Sequence, residues 1–236
     1  MARGVKQLRS QAWWAALVGV LFLQTAQAAK RDPSGVITIV ALGDSLTAGY
    51  GLSRKQAYPA LVAEKMRAAG YEFEVVNAGS SGDTTSGGLQ RLPSILRAHK
   101  KIDVFILELG INDAFRGVPV DQIRANLQAI IDRVRSHDPN AVIIVAGMQL
   151  PDYTSDDYVG AFGRIFAAIA ERNRATLIPY LLEGVGGNPA LNQWDTLHPN
   201  AAGQRVLAEN VWRVLEPILK QLSSRSTVAP APRTGA

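Results

Sequence analysis

Five short runs of apolar residues constrain the fold of this chain more than any other feature. They are residues 36–42, 73–76, 104–107, 142–146 and 176–178. Several are rich in valine and isoleucine and do not alternate with polar residues, which is typical of strands buried on both faces of a parallel sheet. Segments with apolar residues at helical spacing separate them. This alternation predicts an α/β fold, a three-layer α/β/α sandwich around a five-stranded parallel sheet with right-handed crossovers.

The predicted helices are most evident in four segments. Their apolar stripes span residues 58–69, 120–134, 162–169 and 206–218. Within each stripe the apolar residues recur every three or four positions, so one face of the helix would pack against the sheet. Pro217 lies within the last stripe and predicts a kink there, because proline removes a helical N–H.

The N-terminal segment, residues 1–28, has the pattern of a secretory signal peptide. Three basic residues precede an apolar stretch at 13–23, and Ala26, Gln27 and Ala28 fit a cleavage site after Ala28. The stretch is shorter than the ~20 residues of a membrane span. We therefore predict export to the periplasm or the medium, with an uncleaved N-terminal anchor as the alternative. The chain contains no cysteine, which excludes a thiol nucleophile.

The rest of the chain predicts one folded domain, residues 29–222, and a disordered tail, residues 223–236, rich in Ser, Pro, Ala and Thr. The formal net charge of +5 includes three basic residues of the signal, and no dense Lys/Arg cluster remains elsewhere. We therefore predict no nucleic-acid partner and no stable membrane insertion after signal cleavage. A monomer that acts on a small-molecule substrate is expected.

Polar residues follow the predicted strands at positions that would meet at one edge of the sheet. Ser45 follows the first strand, Gly82 lies in the loop after the second, and Asn112 follows the third. Asp195 and His198 lie in the loop before the last helix. The carboxyl ends of parallel strands line the crevice in which α/β proteins bind ligands. A serine, a histidine and an aspartate at that edge are the parts of a nucleophilic acyl-transfer site.

These residues also have ordinary structural interpretations. Ser45 could cap a helix, Asp195 could close a turn, and His198 could bond to the backbone. The other two histidines, His99 and His137, fall at predicted helix ends and are expected at the surface. His198 is thus the candidate base.

Three other acids compete with Asp195 for the role of orienting the histidine. They are Asp44, Asp83 and Asp113. Asp44 adjoins Ser45 and would not easily sit beyond the histidine, and the other two are candidate helix caps. Asp195 is therefore the predicted acid.

Donors for an oxyanion are available in the glycine-rich loop at 77–83 and in the side-chain amide of Asn112. Other chemistries lack their motifs. The chain has no phosphate loop, no dinucleotide-binding glycine pattern, no H-E-x-x-H zinc motif and no G-x-S-x-G elbow.

Four sequence blocks, in this order, resemble those of the SGNH (GDSL) hydrolase superfamily. They are Gly43-Asp44-Ser45-Leu46, Ser81-Gly82-Asp83, Gly110-Ile111-Asn112-Asp113 and Asp195-Thr196-Leu197-His198-Pro199. Within it the chain is most similar to the bacterial multifunctional acyl-CoA thioesterase I, arylesterase and lysophospholipase group. That closer likeness rests on residues 43–50, 75–78, 89–93 and 149–151.

The resemblance implies a flavodoxin-like sandwich with Ser45 as the nucleophile and Asp195 and His198 completing a triad. It also implies an oxyanion hole formed by the Ser45 and Gly82 N–H groups and the Asn112 amide. Gly79 is the alternative glycine donor, and Gly82 is preferred because Ser81-Gly82-Asp83 is the better match to the family block. No cofactor and no metal are expected.

The expected activity is that of a secreted serine esterase. It would cleave aryl and acyl esters, including lysophospholipids, and acyl thioesters through a Ser45 acyl-enzyme. Candidates for contact with the acyl chain are Ile111, Phe115, Leu150, Pro151 and Tyr153. A carbohydrate acetylesterase of the same superfamily is the alternative. A metallophosphoesterase and a non-catalytic binding module are more distant ones.

Overall fold

A computed structural model of the chain describes residues 35–150 and 156–227. The predicted signal peptide lies outside the described residues, as do Pro151 and Tyr153. Of the predicted tail, residues 228–236 lie outside them.

A single five-stranded parallel sheet forms the centre of the domain, and the predicted fold class is confirmed. Its strands are β1 Ile37–Gly43, β2 Phe73–Gly79, β3 Val104–Glu108, β4 Val142–Ala146 and β5 Thr176–Ile178. They are arranged in the order β2-β1-β3-β4-β5, all parallel. The strand order reverses beside β1, and a crevice between loops opens at such a point in α/β sheets.

Seven helices occur in the described part of the chain. They are α1 Ser45–Ala48, α2 Tyr58–Ala68, α3 Thr85–Ala98, α4 Ile111–Phe115, α5 Val120–His137, α6 Asp156–Arg172 and α7 Ala201–Thr227. Helix α2 packs on α7, while α5 packs on both α3 and α6, so the helices form the two outer layers. No helix among the described residues is long and apolar enough to cross a membrane.

Helix α7 extends beyond the predicted end of the domain. The helix continues to Thr227, five residues into the segment that begins at Ser223 and that the sequence predicts to be a tail. Leu219 and Leu222 are buried on the inner face of the helix and anchor its last turns against the domain.

The two central strands lie entirely in the core. Every residue of β1 and of β3 is buried, including Ile39, Leu42 and Phe105. Complete burial of such a side chain stabilises the fold by about 1.5–3 kcal/mol. These well-packed strands give the loops at their carboxyl ends a rigid base.

Candidate active site

The turn that carries Ser45 begins where β1 ends. Asp44 caps helix α1 by accepting a hydrogen bond from the Leu46 N–H through Oδ1 (2.9 Å), so Asp44 rather than Ser45 is the N-cap. Gly43 lies in register with Glu108 of β3, and a Cβ at Gly43 would collide with the side chains of Glu108 and Thr47. The glycine therefore allows the turn to close tightly behind Ser45.

A continuous hydrogen-bonded chain links Ser45, His198 and Asp195. His198 Nε2 lies 3.0 Å from Ser45 Oγ, and His198 Nδ1 lies 2.6 Å from Asp195 Oδ2. The three predicted residues thus meet although 150 residues separate Ser45 from Asp195 in the sequence. The geometry is that of a nucleophile, a base and an orienting acid.

The loop before α7 holds the Asp195 carboxylate in place. Its Oδ1 accepts the backbone N–H groups of Leu197 and His198, each at 3.0 Å. Burial acts to raise the pKa of Asp195, but these bonds and the bond from the His198 ring outweigh it, so the pKa is lowered from its ordinary value. Asp195 is therefore ionised at neutral pH, as a partner of imidazolium should be.

The three rival acids are engaged elsewhere. Asp83 pairs with Arg91 (2.6 Å), and Asp113 accepts both the N–H and the hydroxyl of Thr85. Asp44 caps α1 as described. Neither Asp83 nor Asp113 is bonded to His198.

Three donor groups lie around the serine turn. Asn112 Nδ2 donates to Asp44 Oδ2 and to the Asp83 carbonyl, both at 3.0 Å, which fixes the plane of the amide. Gly82 has a φ of +76°, a conformation that favours glycine. Among the described residues, neither the Gly82 N–H nor the Ser45 N–H has an acceptor. The Gly79 N–H, by contrast, is bonded to Asn77 Oδ1 (3.0 Å).

One guanidinium connects the loops that follow β1 and β2. Arg91, on α3, donates to the Gly43 carbonyl (2.9 Å), to the Ala78 carbonyl (2.6 Å) and to Asp83 Oδ2 (2.6 Å). The chain segments that carry Ser45 and Gly82 are thus held at a fixed separation.

Four large hydrophobic side chains are exposed in the described part of the chain, and all of them neighbour site residues in sequence or in space. They are Tyr50, Phe115, Trp194 and Leu197. The Tyr50 ring lies 4.4 Å from the His198 ring, and Trp194, which is 94% exposed, precedes Asp195. Of these four residues, only Phe115 is among the acyl-chain contacts predicted from the sequence. Their positions beside the motif residues were the available signal.

Of the other predicted acyl-chain contacts, Ile111 is half-buried and packs against the core. Leu150 is buried in the core. Phe115 is about half exposed, so its side chain is accessible to a ligand.

Glu108 is a buried acid that sequence analysis missed. Its Oε2 accepts the Asp44 N–H (3.1 Å) and the Thr47 hydroxyl (2.7 Å), and the residue is fully buried. Burial, and then the nearby charge of Asp44, raise its pKa well above the ordinary value. Burial likewise raises the pKa of Asp44 to about 6. Two carboxyl groups thus lie directly behind Ser45.

A metallophosphoesterase, one of the more distant alternatives, could use Asp44, Asn112, Asp113 and His198 as metal ligands. Within the described ranges, no group of three or more His, Asp or Glu side chains is placed to hold a metal ion. Asp44, Asn112 and Asp113 are bonded to protein partners instead.

Comparisons with known proteins agree on one family. The model of the GDSL-like lipase/acylhydrolase family matches residues 41–206. Esterase TesA of Pseudomonas aeruginosa is 40% identical over 199 residues, which cover 84% of this chain and 94% of that protein. Thioesterase 1/protease 1/lysophospholipase L1 of Escherichia coli K12 is 36% identical over 199 residues, covering 84% and 90%. A structure of the psychrotrophic esterase EstA from Pseudoalteromonas sp., inhibited by monoethylphosphonate, has a TM-score of 0.72 at 30% identity, covering 78% and 98%.

Proposed function

This chain belongs to the GDSL-like lipase/acylhydrolase family and hydrolyses ester bonds, and from that premise we propose that Ser45, His198 and Asp195 are its catalytic triad. The hydrogen-bonded chain from Ser45 Oγ through both ring nitrogens of His198 to Asp195 carries the proposal. A serine hydroxyl is a weak nucleophile until a base removes its proton, and this arrangement supplies the base.

Acylation follows from the positions of these atoms. Ser45 Oγ forms a bond to the carbonyl carbon of the ester while His198 Nε2 takes the hydroxyl proton. Asp195 stabilises the resulting imidazolium through Nδ1–H. The imidazolium then passes the proton from Nε2 to the leaving alkoxide or thiolate as its bond to carbon breaks, which leaves an ester on Ser45.

Deacylation repeats these steps with water. His198 Nε2 accepts a proton from water as the oxygen bonds to the acyl carbon, and it returns that proton to Ser45 Oγ. The carboxylic acid leaves, and the free enzyme is restored without a cofactor.

Negative charge on the carbonyl oxygen would be stabilised by the N–H groups of Ser45 and Gly82 and by Asn112 Nδ2. The two backbone groups have no acceptor among the described residues and are free to donate. Asn112 differs, because both of its amide hydrogens already bond, to Asp44 and Asp83. The oxyanion would share or replace one of these acceptors.

The substrates that we propose are aryl and acyl esters, including lysophospholipids, and acyl thioesters. This proposal is supported by four exposed apolar side chains that could contact an apolar acyl or aryl group of the substrate, those of Tyr50, Phe115, Trp194 and Leu197. The signal pattern of residues 1–28 supports action in the periplasm or the medium.

Labelling by a fluorophosphonate tests the nucleophile. We expect one adduct, located on Ser45 by peptide mass spectrometry, and none in Ser45→Ala. Ser81→Ala is the matched control, since Ser81 is an exposed serine of the loop after β2 and should not affect labelling. Adducts on Ser80, Ser81 or Ser86 would show that another serine is the nucleophile.

A substrate panel tests the acyl preference. It would compare p-nitrophenyl esters from acetate to palmitate with acyl-CoAs, lysophospholipids and acetylated sugars. We expect higher kcat/KM for apolar acyl or aryl groups, and a lower value for them in Trp194→Ser. A preference for acetylated sugars would favour the carbohydrate acetylesterase alternative.

A further inference from the structure

The carboxyl of Glu108 is buried and only half satisfied. Oε2 accepts two hydrogen bonds, but Oε1 has no partner among the described residues that could donate to it. An ionised carboxylate has only acceptor oxygens, so such an atom would remain without compensation in the core. Buried polar groups without a partner are costly, and a buried charge costs still more.

The Asp44 carboxyl is a close neighbour of the Glu108 carboxyl, because Glu108 Oε2 accepts the Asp44 backbone N–H (3.1 Å) and the two buried side chains interact electrostatically. Two carboxylates this close in a buried site cannot both be ionised, and one of them keeps a proton. Asp44 accepts from Leu46 N–H and Asn112 Nδ2, which favours its charged form. In Glu108, by contrast, Oε1 has no hydrogen-bond partner among the described residues, so a proton on Oε1 could be donated to the Asp44 carboxylate.

We propose that Glu108 is a neutral carboxylic acid whose Oε1–H donates to the Asp44 carboxylate, and that it acts as a positioning residue for the Ser45 turn. Oε2 holds the Asp44 N–H and Thr47 from one side, while Oε1–H holds the Asp44 carboxylate from another. Asp44 in turn fixes Leu46 and the Asn112 amide. The proton thus connects strand β3 to the nucleophile and to one oxyanion donor.

Burial raises the pKa of Glu108 well above its ordinary value, which agrees with this geometry. The other titratable groups that interact with the pair are Tyr58 and His198. The Tyr58 hydroxyl bonds to Thr47 Oγ1 (3.1 Å), and burial raises the pKa of Tyr58, so it remains neutral. His198 favours the charged form of Asp44 when it becomes imidazolium.

Infrared spectroscopy tests the proton without reference to activity. In D₂O near neutral pH, the protein should show the carbonyl stretching band of a protonated carboxylic acid, and Glu108→Gln should lack it. Asp103→Asn is the matched control and should keep the band, because Asp103 is a buried acid at the other end of β3 that pairs with Lys101. Absence of the band near neutral pH would overturn the proposal.

Turnover tests the positioning role, which rests on the proposed function. Glutamine mimics a neutral acid, since its carbonyl accepts from Asp44 N–H and Thr47 and its amide donates to the Asp44 carboxylate. Glu108→Gln should therefore retain at least about a third of kcat, while Glu108→Leu should lose about tenfold or more, because misplaced catalytic groups reduce the rate. Equal losses in both variants would overturn the positioning role.

Thermal stability gives a third readout, which holds even if Glu108→Leu does not fold. An acid whose folded-state pKa is raised loses stability as the pH rises above its ordinary value, and glutamine does not. The gain in Tm of Glu108→Gln over the wild type should grow from about pH 5 to about pH 8. A gain independent of pH would contradict the neutral acid. If the fluorophosphonate labels another serine instead of Ser45, the proposed catalytic triad is wrong. The infrared band and the pH dependence of Tm would still test whether Glu108 is protonated.

Discussion

The two ends of strand β3 hold buried acids in opposite settings. Asp103 immediately precedes the strand, accepts the Thr38 N–H (2.9 Å) and forms an ion pair with Lys101 (3.3 Å). Glu108 ends the strand and has no cationic partner in the part of the chain that the structure describes, but it does have Asp44 beside it. At the amino end the charge is compensated locally, whereas at the carboxyl end the carboxyl is held among the groups that surround Ser45.

The histidines show the same contrast. His99 and His137 precede β3 and β4, at the amino edge, where His137 Nε2 lies 2.8 Å from the His99 carbonyl and His99 lies 3.7 Å from Glu74. His198 lies at the carboxyl edge between Ser45 and Asp195. The edge of the sheet, rather than the residue type, determines which polar groups converge. Substitutions at the carboxyl edge should therefore change turnover, and those at the amino edge should change stability.

Ser45→Ala is the strongest test of that contrast. Because Ser45 is the proposed nucleophile, its replacement should lower kcat by ~10³-fold or more while the fold survives. Asp103→Asn, at the amino edge, should lower Tm because it removes the ion pair with Lys101, and it should leave kcat within about twofold because Asp103 lies at the opposite edge of the sheet from Ser45. Steady-state kinetics and calorimetry on both variants provide the comparison. A large fall in kcat in Asp103→Asn would contradict the proposed difference between the amino and carboxyl edges of the sheet.

Asp195→Asn should have the next largest effect. It removes control of the His198 tautomer and stabilisation of the imidazolium, so kcat should fall by ~10²–10⁴-fold with the fold intact. His99→Ala and His137→Ala are matched controls and should keep normal kcat and an unchanged pH profile. Near-normal activity in Asp195→Asn would mean that another acid orients the histidine.

Asn112→Ala should cost ~10²–10³-fold in kcat with little change in KM, because it removes a donor aimed at the transition state. Asn210 provides a matched buried amide, since it donates to the Leu181 and Glu183 carbonyls away from the site. Asn210→Ala should lower stability without that loss of kcat. If Asn112→Ala mainly raised KM, the amide would bind the ground state instead.

The smallest expected effects are changes in the pH dependence of Tm. They distinguish Asp195 from Glu108, two acids at the carboxyl edge of the sheet. The pKa of Asp195 is lowered on folding, so its contribution to stability is present above about pH 4 and is lost as the pH falls further. The Tm loss caused by Asp195→Asn should therefore become smaller as the pH falls towards ~3, by ~2–4 °C in total. For Glu108→Gln the sign is opposite, because its gain in Tm over the wild type should grow as the pH rises. Trends of the same sign for both acids would contradict the opposite pKa shifts.

Much of the sheet, and the convergence of Ser45, His198 and Asp195, could be predicted from the sequence, because buried parallel strands and motif loops leave clear local patterns. Strand β2 continued three residues past its predicted end at Val76 to Gly79, since Asn77 interrupts the apolar run but pairs with β1. The apolar stripes did not single out helix α3, which contains Gly87, Gly88 and Pro93.

Glu108 could not be predicted, for a different reason. An acid at the end of an apolar run normally indicates exposure, because buried charges are rare. Only the register of β3 with β1 shows that Gly43 leaves room for its carboxyl. The exposure of Trp194 is likewise a property of the folded loop, not of the local pattern.

The contacts of Arg91 also bear on the timing of local motion. Because its guanidinium bonds to Gly43, Ala78 and Asp83 at once, neither of the two loops can open without releasing contacts that also hold the other. Their amide protons should consequently exchange with solvent through one shared opening event. We therefore expect the segments that carry Ser45 and Gly82 to open as one cooperative unit, so that a fluctuation that displaces one displaces both.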